Sequence, residues 1–337
     1  MILDTFPTAE EFYKTYWCKK PFIVRGHIPA DAFDDFIDGD TMAGLALEDD
    51  IKSRFITNNA DGKGWQCQHG PLDDDHFDDV GDKNWSLMVQ NVEQYHPDTA
   101  QLLPYFQLSP RWLLDDIMVS FSTAGGSVGP HTDSYHTFLV QGIGKRTWKI
   151  SADRIDDDRY VDNPDMKILD NGFDGETFTV TVGDVIYMPP FFGHEGKTLE
   201  PAMTFSVGFL GPKLSEMMGD YAQYLEENDH LNKRYFGENL DEKSAGFLIG
   251  QSNQNKIQSD LISTIQSDDF AKWMAGYFAM PTIDDVEGAD DILSRAEQSK
   301  TAITTLDNGD FYLSVDGQTQ TVPSSQSELI KKLNSGG

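Results

Sequence analysis

GPHTDSYHTF, residues 129–138, and GDVIYMPPFFGHEG, residues 183–196, are the two stretches on which the interpretation of this chain depends. The first contains a histidine and an aspartate separated by one residue, His131 and Asp133, and the second contains His194. Alternate residues of a β-strand share a face, so this spacing predicts that His131 and Asp133 point the same way. The second stretch predicts a turn at Gly183, a strand, and then a loop, stiffened by Pro189-Pro190, that carries His194.

Two imidazoles and one carboxylate can occupy one face of a metal ion and leave open positions opposite. Non-heme Fe(II) oxygenases use this arrangement, because a co-substrate and O2 need those positions. Zinc also accepts three such ligands, but the mixed set with an open face favours iron. We therefore predict His131, Asp133 and His194 as metal ligands and catalytic residues. His136 lies five residues beyond His131, so strand alternation turns it to the opposite face and predicts a structural or surface role.

The middle of the chain has the pattern of an all-β domain. Short β-branched or aromatic segments follow one another between Gly, Pro and Asp turns, which favours a sandwich or barrel over a parallel α/β sheet. Ligands on such strands would share one cavity. The N-terminal part predicts a helix over 8–17 capped by Thr8, a strand at 21–26, and helices near 40–47 and 85–95. The predicted strands of the middle part are 115–121, 135–141, 147–150, 176–182, 184–188 and 203–209.

The character of the sequence changes after residue 212. A stripe of Met, Leu and Tyr residues at helical spacing predicts a helical unit over 213–280, with the stripe serving as core or as a subunit interface. A further helix is expected at 283–300. The region 302–321, with the run FYLSVDGQTQTV that begins at Phe311, predicts a hairpin with Asp316-Gly317 as its turn. The tail 324–337 is expected to be frayed.

Composition and charge restrict the class of partner. The 337 residues carry 56 Asp and Glu against 26 Lys and Arg, a net charge of −30. Such a field repels nucleic acid phosphates and anionic lipid and attracts cationic partners, although an acidic proteome in a salty habitat would explain it equally well. No apolar run approaches membrane-spanning length, and the acidic N-terminus does not resemble a signal peptide. Cys18 and Cys67 form no disulfide framework. We expect a cytoplasmic protein without membrane or direct nucleic acid contacts.

A triad of this type usually chelates a 2-oxo acid, whose far carboxylate needs a fixed cation. Arg146 lies on the strand after the QGIGK turn, and its guanidinium can bind a carboxylate with two parallel hydrogen bonds. We prefer it to Lys145 because Trp148 and Ile150, which alternate with Arg146, look like inward residues. Ser120 and Thr137 are candidates for hydroxyl contacts with the same co-substrate.

The sequence resembles the JmjC-domain 2-oxoglutarate oxygenases, and specifically the bacterial ribosomal oxygenases that hydroxylate an arginine of a large-subunit ribosomal protein. The resemblance covers most of residues 10–212. It is carried by FYKTYWCKKPFIVRG (12–26), NWSLMVQ (84–90), DDIMVSFSTAGGSVGPHTDSYHTFLVQGIGKRTWKI (115–150), GDVIYMPPFFGHEG (183–196) and SVGF (206–209).

By that resemblance, His131, Asp133 and His194 would hold Fe(II), and Arg146 would bind 2-oxoglutarate, with O2 as the second co-substrate. The fold would be mainly β, with a double-stranded β-helix (cupin/JmjC) core and N-terminal α+β elements. Residues 1–212 would form the catalytic domain, 213–280 a helical region for homodimerisation, and 281–337 a small winged-helix-like α/β domain. The C-terminal part looks short for a complete winged helix.

An arginine substrate should meet a carboxylate and an aromatic surface. Asp116 and Tyr135 fit, because each has the parity of the catalytic face on its strand, and Ser206 on the last strand is a third candidate for substrate binding. A carboxylate at Asp116 could accept two of the five guanidinium donors. A ribosomal protein is strongly basic, so the acidic surface suits this class of partner.

Three other functions use parts of the same pattern. A JmjC-type lysine demethylase would place a methylammonium group in an aromatic cage beside the same iron. An oxygenase of a small molecule would not need the large additions after residue 212. A non-enzymatic, metal-binding cupin would not need a carboxylate-binding arginine such as Arg146 beside the metal.

Overall fold

The structure, a computed structural model, divides the chain into two units, Met1–Leu210 and Gly211–Gly337. In the first unit, a nine-stranded sheet and a three-stranded sheet face each other, as expected for a double-stranded β-helix. The predicted fold class, mainly β with helical additions, is confirmed. The described residues are 1–34, 36–61, 63–156, 159–163, 165–241, 247–281 and 295–335.

The large sheet has the order β1-β2-β10-β7-β12-β6-β5-β3-β4, and all its strand pairs are antiparallel except β1 with β2. The small sheet has the order β11-β8-β9. The strands are β1 (Ile2–Leu3), β2 (Phe22–Val24), β3 (Ser53–Thr57), β4 (Gln66–His69), β5 (Trp85–Val89), β6 (Leu114–Ser122), β7 (His136–Ile143), β8 (Arg146–Arg154), β9 (Gly175–Val180), β10 (Val185–Met188), β11 (Phe192–Thr198) and β12 (Ala202–Phe209).

Two apolar cores cover the two faces of the large sheet. Between the sheets, Leu139 and Ile186 from the large sheet pack with Trp148 and Ile150 from the small one. On the outer face, a larger aromatic-rich core that includes Phe138 and Phe205 is covered by the helices of the unit. These are α1 (Ala9–Glu11), the π-helical turn Phe12–Tyr16, α2 (Gly39–Leu45), α3 (Val92–Tyr95), and 3-10 segments at Ala30–Phe33, Pro97–Phe106 and Arg111–Leu113.

A buried carboxylate in the GD turn joins the N-terminal segment to the sheet. Asp184 is 4% exposed and accepts hydrogen bonds from the backbone of Gly26 (2.9 Å) and Thr181 (2.9 Å). Gly26 donates to Oδ1 and Thr181 to Oδ2. The Oδ2 atom also lies 2.7 Å from Nη1 of Arg25. The charge is thus satisfied by one cation and two amides, which makes burial tolerable. The predicted turn at Gly183 is present, and Gly183 adopts φ +85°.

The predicted helix at 85–95 is wrong over its first half, because Trp85–Val89 is strand β5. Residues 86–89 are buried, between β3 on one side and β6 on the other. A short apolar run without polar alternation cannot be distinguished from a buried helix by periodicity. The helix begins only at Val92, after Asn91 has turned the chain with φ +55°.

His194 lies on strand β11, not on the predicted loop. The sequence of this strand, FGHEGKT, contains two glycines and therefore lacks a β signal. Both glycines are explained by close packing: a Cβ at Gly193 would lie 2.4 Å from the side chain of Ile155, and one at Gly196 would lie 3.0 Å from the ring of Trp148. Glycine is needed where another chain segment approaches this closely.

Within its described residues, the second unit has three helices, a three-stranded antiparallel sheet and a C-terminal helix. Asp316 and Gly317 both have positive φ, +47° and +75°, and form the predicted hairpin turn. The prediction that the tail is frayed is wrong, because 327–335 is helical and Ile330 packs into the core of this sheet. The helix expected at 283–300 falls largely outside the described residues. The elements are α4 (Leu214–Glu227), α5 (Gln251–Ile265), α6 (Asp268–Phe278), β13 (Thr301–Thr305), β14 (Phe311–Val315), β15 (Gln318–Val322), the 3-10 turn Ser324–Gln326 and α7 (Ser327–Ser335).

Within the described ranges, no helix is both long and apolar enough to cross a bilayer.

Candidate active site

Backbone pairing brings the two histidines of the predicted triad together. His131 and His194 form an antiparallel bridge with N–H···O distances of 3.0 and 2.9 Å, and their ring centroids are 4.2 Å apart. Strand β7 begins only at His136, so His131 and Asp133 both precede it. The predicted strand alternation therefore does not explain why these two residues face the same side. Asp133 lies in the connection before β7, and its Oδ2 is 3.3 Å from Nε2 of His194.

The backbone of Asp133 is fixed by a strained residue of the PPFF segment. The N–H of Phe191 donates to the carbonyl of Asp133 at 2.7 Å. Phe191 has φ +67°, which is unusual for a bulky residue and is tolerated only where the surroundings impose it. Phe191 directly precedes β11, so this one residue links the start of the His194 strand to the Asp133 segment.

The ring orientations leave one nitrogen of each histidine directed at a common point. Nδ1 of His131 lies 2.9 Å from the Gly129 carbonyl, and Nδ1 of His194 lies 3.1 Å from the Phe192 carbonyl. A carbonyl oxygen can only accept a hydrogen bond, so both Nδ1 atoms carry hydrogen, and in the neutral form of each ring Nε2 carries the lone pair. One ligand atom from each of His131, Asp133 and His194 lies within 4.8 Å of the others.

The protonation states suit a cation at this point. Burial and the neighbouring His194 lower the pKa of His131 from 6.5 to about 4, so its ring is neutral at physiological pH. Burial opposes charge on His194 and on Asp133, but their mutual hydrogen bond raises the pKa of the histidine and lowers that of the carboxyl. A neutral imidazole and an ionised carboxylate are the metal-binding forms. The donor set therefore fits a divalent metal ion with an open face.

Arg146 is a buried cation surrounded by hydroxyl groups. It is 6% exposed, and burial lowers its pKa to about 10. In the part of the chain that the structure describes, it forms no ion pair with a carboxylate. A buried, uncompensated charge is costly, which indicates a place prepared for an anion. Its hydrogen-bond partners are the hydroxyls of Thr198 (3.0 Å), Thr204 (3.1 Å), Ser120 (3.3 Å) and Ser122.

One cavity of about 380 Å³ connects the triad with Arg146. Ser120 and Thr137, the predicted hydroxyl contacts, both line it, together with Leu139 and Trp148. The Oγ1 atom of Thr137 is buried without a hydrogen-bond partner among the described residues. An orphaned hydroxyl in a cavity wall is typical of a ligand contact.

The three predicted substrate-binding residues have different positions. Tyr135 and Ser206 line the cavity, whereas Asp116 lies outside its wall. The Oδ2 atom of Asp116 accepts from the backbone of Asn91 at 3.4 Å. Burial, then the charges of Asp133 and Asp116, raise the pKa of Tyr135, so its phenol keeps the proton. Asp116 is thus close enough to act electrostatically on the tyrosine without forming the wall beside it.

Sequence patterns do not predict several residues of the cavity wall and of the hydroxyl group set around Arg146. Ser122 shares strand parity with Ser120 and could have been found, since both lie on β6. Thr198 and Thr204 reach Arg146 only through the pairing of β11 and β12 with their neighbours. Arg54 comes from β3, in a region whose sequence predicted no strand.

His136 is on the opposite face of the sheet from the cavity. Its ring stacks on Trp17 with centroids 3.5 Å apart, and Nδ1 lies 2.8 Å from the hydroxyl of Tyr187. It is 8% exposed, and burial lowers its pKa from 6.5 to about 4. These contacts agree with the structural role predicted for it.

We expect His136 to make folding stability dependent on pH. Between pH 6.5 and 4 the unfolded chain binds a proton that the folded chain excludes, so the free energy of unfolding falls as the pH is lowered. The loss across this window should reach about 3 kcal/mol. Denaturant unfolding at several pH values checks this against His136→Asn, which keeps a donor near Tyr187 but does not titrate. Parallel pH profiles for the two proteins would contradict the assignment.

Comparisons with known proteins agree with this geometry. The JmjC domain model matches residues 101–217. The ribosomal protein uL16 3-hydroxylase of Escherichia coli (strain K12) is 33% identical over 273 residues, which cover 80% of this chain and 70% of that protein. A crystal structure of E. coli YcfD superposes with a TM-score of 0.76 at 26% identity and covers 100% of this chain and 99% of that one.

A second YcfD structure, a ribosomal oxygenase in complex with cobalt and 2-oxoglutarate, superposes with a TM-score of 0.73 at 25% identity. It covers 98% of this chain and 96% of that chain. The resemblance noted in the sequence is thereby confirmed. The chain belongs to the JmjC-domain family of ribosomal oxygenases.

Proposed function

We propose that this protein hydroxylates an arginine side chain of a large-subunit ribosomal protein, using Fe(II), 2-oxoglutarate and O2 in the cytoplasm. The observation that carries the proposal is the shared cavity, in which a His-Asp-His cluster and a buried arginine without a carboxylate partner among the described residues lie together. The named function of the E. coli relative, a uL16 3-hydroxylase, supports a ribosomal protein as the substrate.

His131, Asp133 and His194 would hold the iron. When bound, iron supplies the oxidation chemistry: one oxygen atom of O2 enters the substrate C–H bond, the other enters succinate, and 2-oxoglutarate loses CO2. His131 is already neutral and the carboxyl of Asp133 is ionised, so neither has to lose a proton to bind it. The hydrogen bond to Asp133 raises the pKa of His194, so this ring would release its Nε2 proton as the metal binds.

Arg146 would bind the far carboxylate of 2-oxoglutarate. Its guanidinium has five donors, and the hydroxyls that now accept them can reorient toward the ligand. Ser120 and Thr137 would supply further hydrogen bonds, and Leu139 and Trp148 would keep water from the reacting atoms. The catalytic contribution of these residues is positioning and exclusion of solvent.

Tyr135, Ser206 and Asp116 would bind the arginine substrate. The protonated Tyr135 presents an aromatic face to a guanidinium, and its hydroxyl remains a donor. Asp116 would contribute mainly by charge from outside the wall. The net charge of −30 would favour the approach of a basic ribosomal protein.

Mass spectrometry of ribosomal proteins tests the function. Intact large-subunit proteins from cells lacking the enzyme are incubated with Fe(II), 2-oxoglutarate and the protein. We expect one oxygen atom on one arginine of one protein. If 2-oxoglutarate is consumed but no ribosomal protein is modified, the oxygenase activity stands and the proposed ribosomal substrate is rejected. Modification of a lysine would favour the demethylase-like alternative.

We also propose that the helices of 213–280 form a homodimer. Large apolar side chains are exposed on them, including Leu214 (75%) and Met218 (73%) on α4 and Leu261 (65%) on α5. An exposed apolar surface of this kind is typical of a subunit interface, and a second copy of the chain would cover it.

The double variant Leu214→Asp/Met218→Asp is expected to be monomeric, since each buried anchor of an interface contributes about 2–4 kcal/mol. Sedimentation of the wild type and the variant over a concentration series measures this. Ser215→Asp/Gly219→Asp adds the same charge to other exposed positions of α4 and should remain dimeric. A wild type that sediments as a monomer at all concentrations would reject the dimer.

A further inference from the structure

Basic side chains are concentrated in the cavity wall of a strongly acidic chain. Arg54, Arg146 and Lys167 line the cavity beside two carboxylates, Asp133 and Asp165. The chain as a whole has 26 basic and 56 acidic residues. The wall is therefore net positive before any metal binds, while the protein carries a charge of −30. This reversal of sign indicates that the cavity receives an anion.

Arg54 and Lys167 occupy the solvent-accessible part of this wall. Arg54, on β3, is half-buried, and Lys167, in the segment between β8 and β9, is exposed. Arg146 is 6% exposed and therefore lies deeper. Across the described ranges, neither Arg54 nor Lys167 forms an ion pair. Asp165, in contrast, is paired with His69, with Oδ1 3.3 Å from Nε2.

The Lys167 segment is held against the strand that carries Arg54. Ile168 and Met166 pack on Ile56 of β3. The His69–Asp165 pair adds a polar link, because His69 on β4 pairs directly with Arg54 in the sheet. The two free cations therefore have fixed neighbours and border one opening.

A dianion faces an electrostatic problem at this protein. The net charge repels it over a distance that grows from about 8 Å at 0.15 M salt to about 30 Å at 0.01 M. Arg146 is buried and cannot offset this repulsion before the ligand has entered. Cations at an opening focus the local potential and raise the association rate of anions.

We propose that Arg54 and Lys167 form a cationic entrance that captures 2-oxoglutarate from solvent and directs it to Arg146. This assignment rests on the proposed function, because it takes 2-oxoglutarate as the anion. It gives Arg54 and Lys167 a role in binding the co-substrate, separate from the residues that hold the metal or the polypeptide.

Calorimetric titration of 2-oxoglutarate into the full-length protein, loaded with Mn(II) under nitrogen and without polypeptide, tests the entrance. Arg54→Gln and Lys167→Gln should each raise the Kd about 4- to 10-fold at low salt, the size expected for a dianion about 10 Å from one charge. The effect should shrink at 0.15 M salt, roughly in step with the shorter Debye length. Arg54→Lys keeps the charge and should bind nearly as the wild type does.

Lys14→Gln is the matched control, since Lys14 is an exposed cation of the same unit that does not line the cavity. It removes one charge and should leave the Kd unchanged. Equal effects of Lys14→Gln and Lys167→Gln on the Kd would overturn the cationic entrance, because the net charge of the protein alone would then explain them. An effect of Arg54→Gln on polypeptide binding alone would also overturn it. Failure of the wild type to bind 2-oxoglutarate would reject the proposed function itself.

Discussion

Replacing His131 with alanine is expected to abolish both metal binding and hydroxylation. The ring is neutral and directs Nε2 toward His194 and Asp133, so its removal leaves only two donors. Loss of a hydrogen bond to a metal ligand already costs about 10- to 100-fold in affinity, and loss of a ligand should cost more. Titration of the purified apoprotein with Fe(II) or Mn(II), together with the mass-spectrometric assay, measures both effects.

His136→Asn is the sharpest control for this experiment. His136 is five residues away and is also buried with a lowered pKa, but it faces Trp17 and Tyr187 across the sheet. We expect this variant to bind the metal like the wild type while losing some stability. Metal binding that survives in His131→Ala but disappears in His136→Asn would place the metal on the wrong side of the sheet for this function.

The second large effect is expected for Arg146→Met, which should lose measurable affinity for 2-oxoglutarate. Truncating one partner of a buried, hydrogen-bonded charge pair costs about 2–5 kcal/mol. The same variant should be at least as stable as the wild type without ligand, because an apolar side chain of similar length replaces a buried cation that no described carboxylate neutralises. Function and stability should thus move in opposite directions at this position.

Two measurements separate these effects for Arg146. Calorimetry with Mn(II)-loaded protein gives the affinity for 2-oxoglutarate, and thermal unfolding of the apoprotein gives the stability. Arg146→Lys keeps the charge but not the planar fork, so we expect an intermediate affinity. A large drop in the melting temperature of Arg146→Met would mean that the arginine supports the fold and would contradict a site prepared for an anion.

Local sequence patterns predicted the catalytic core well where the strands are regular. The strands β6, β7, β8, β10 and β12 were each identified within a few residues, because their β-branched and aromatic runs end at Gly, Pro or Asp turns. Residue type and spacing predict the proposed metal cluster and Arg146, and the structure brings these residues to one cavity.

The predictions that the structure contradicts share one physical cause. Strand β5 is buried on both faces and shows no alternation, and β11 needs two glycines to pack against neighbouring segments. The spacing of His131 and Asp133 predicts strand alternation, whereas a backbone bridge to His194 and the contact from Phe191 position them. In each case a contact between segments distant in the sequence overrides the local pattern.

Residue types alone specify the chemistry that this protein can perform. Two histidines, an aspartate and an arginine are the donors and the cation that an iron- and 2-oxo-acid-dependent site requires, and these are properties of residue type. The side chains that surround them are set by the packing of strands that are distant in the sequence. The hydroxyls around Arg146 and the cations Arg54 and Lys167 come from four strands and a connecting segment, and strand pairing sets their distances. Register depends on contacts between distant strands, so local sequence patterns do not contain it.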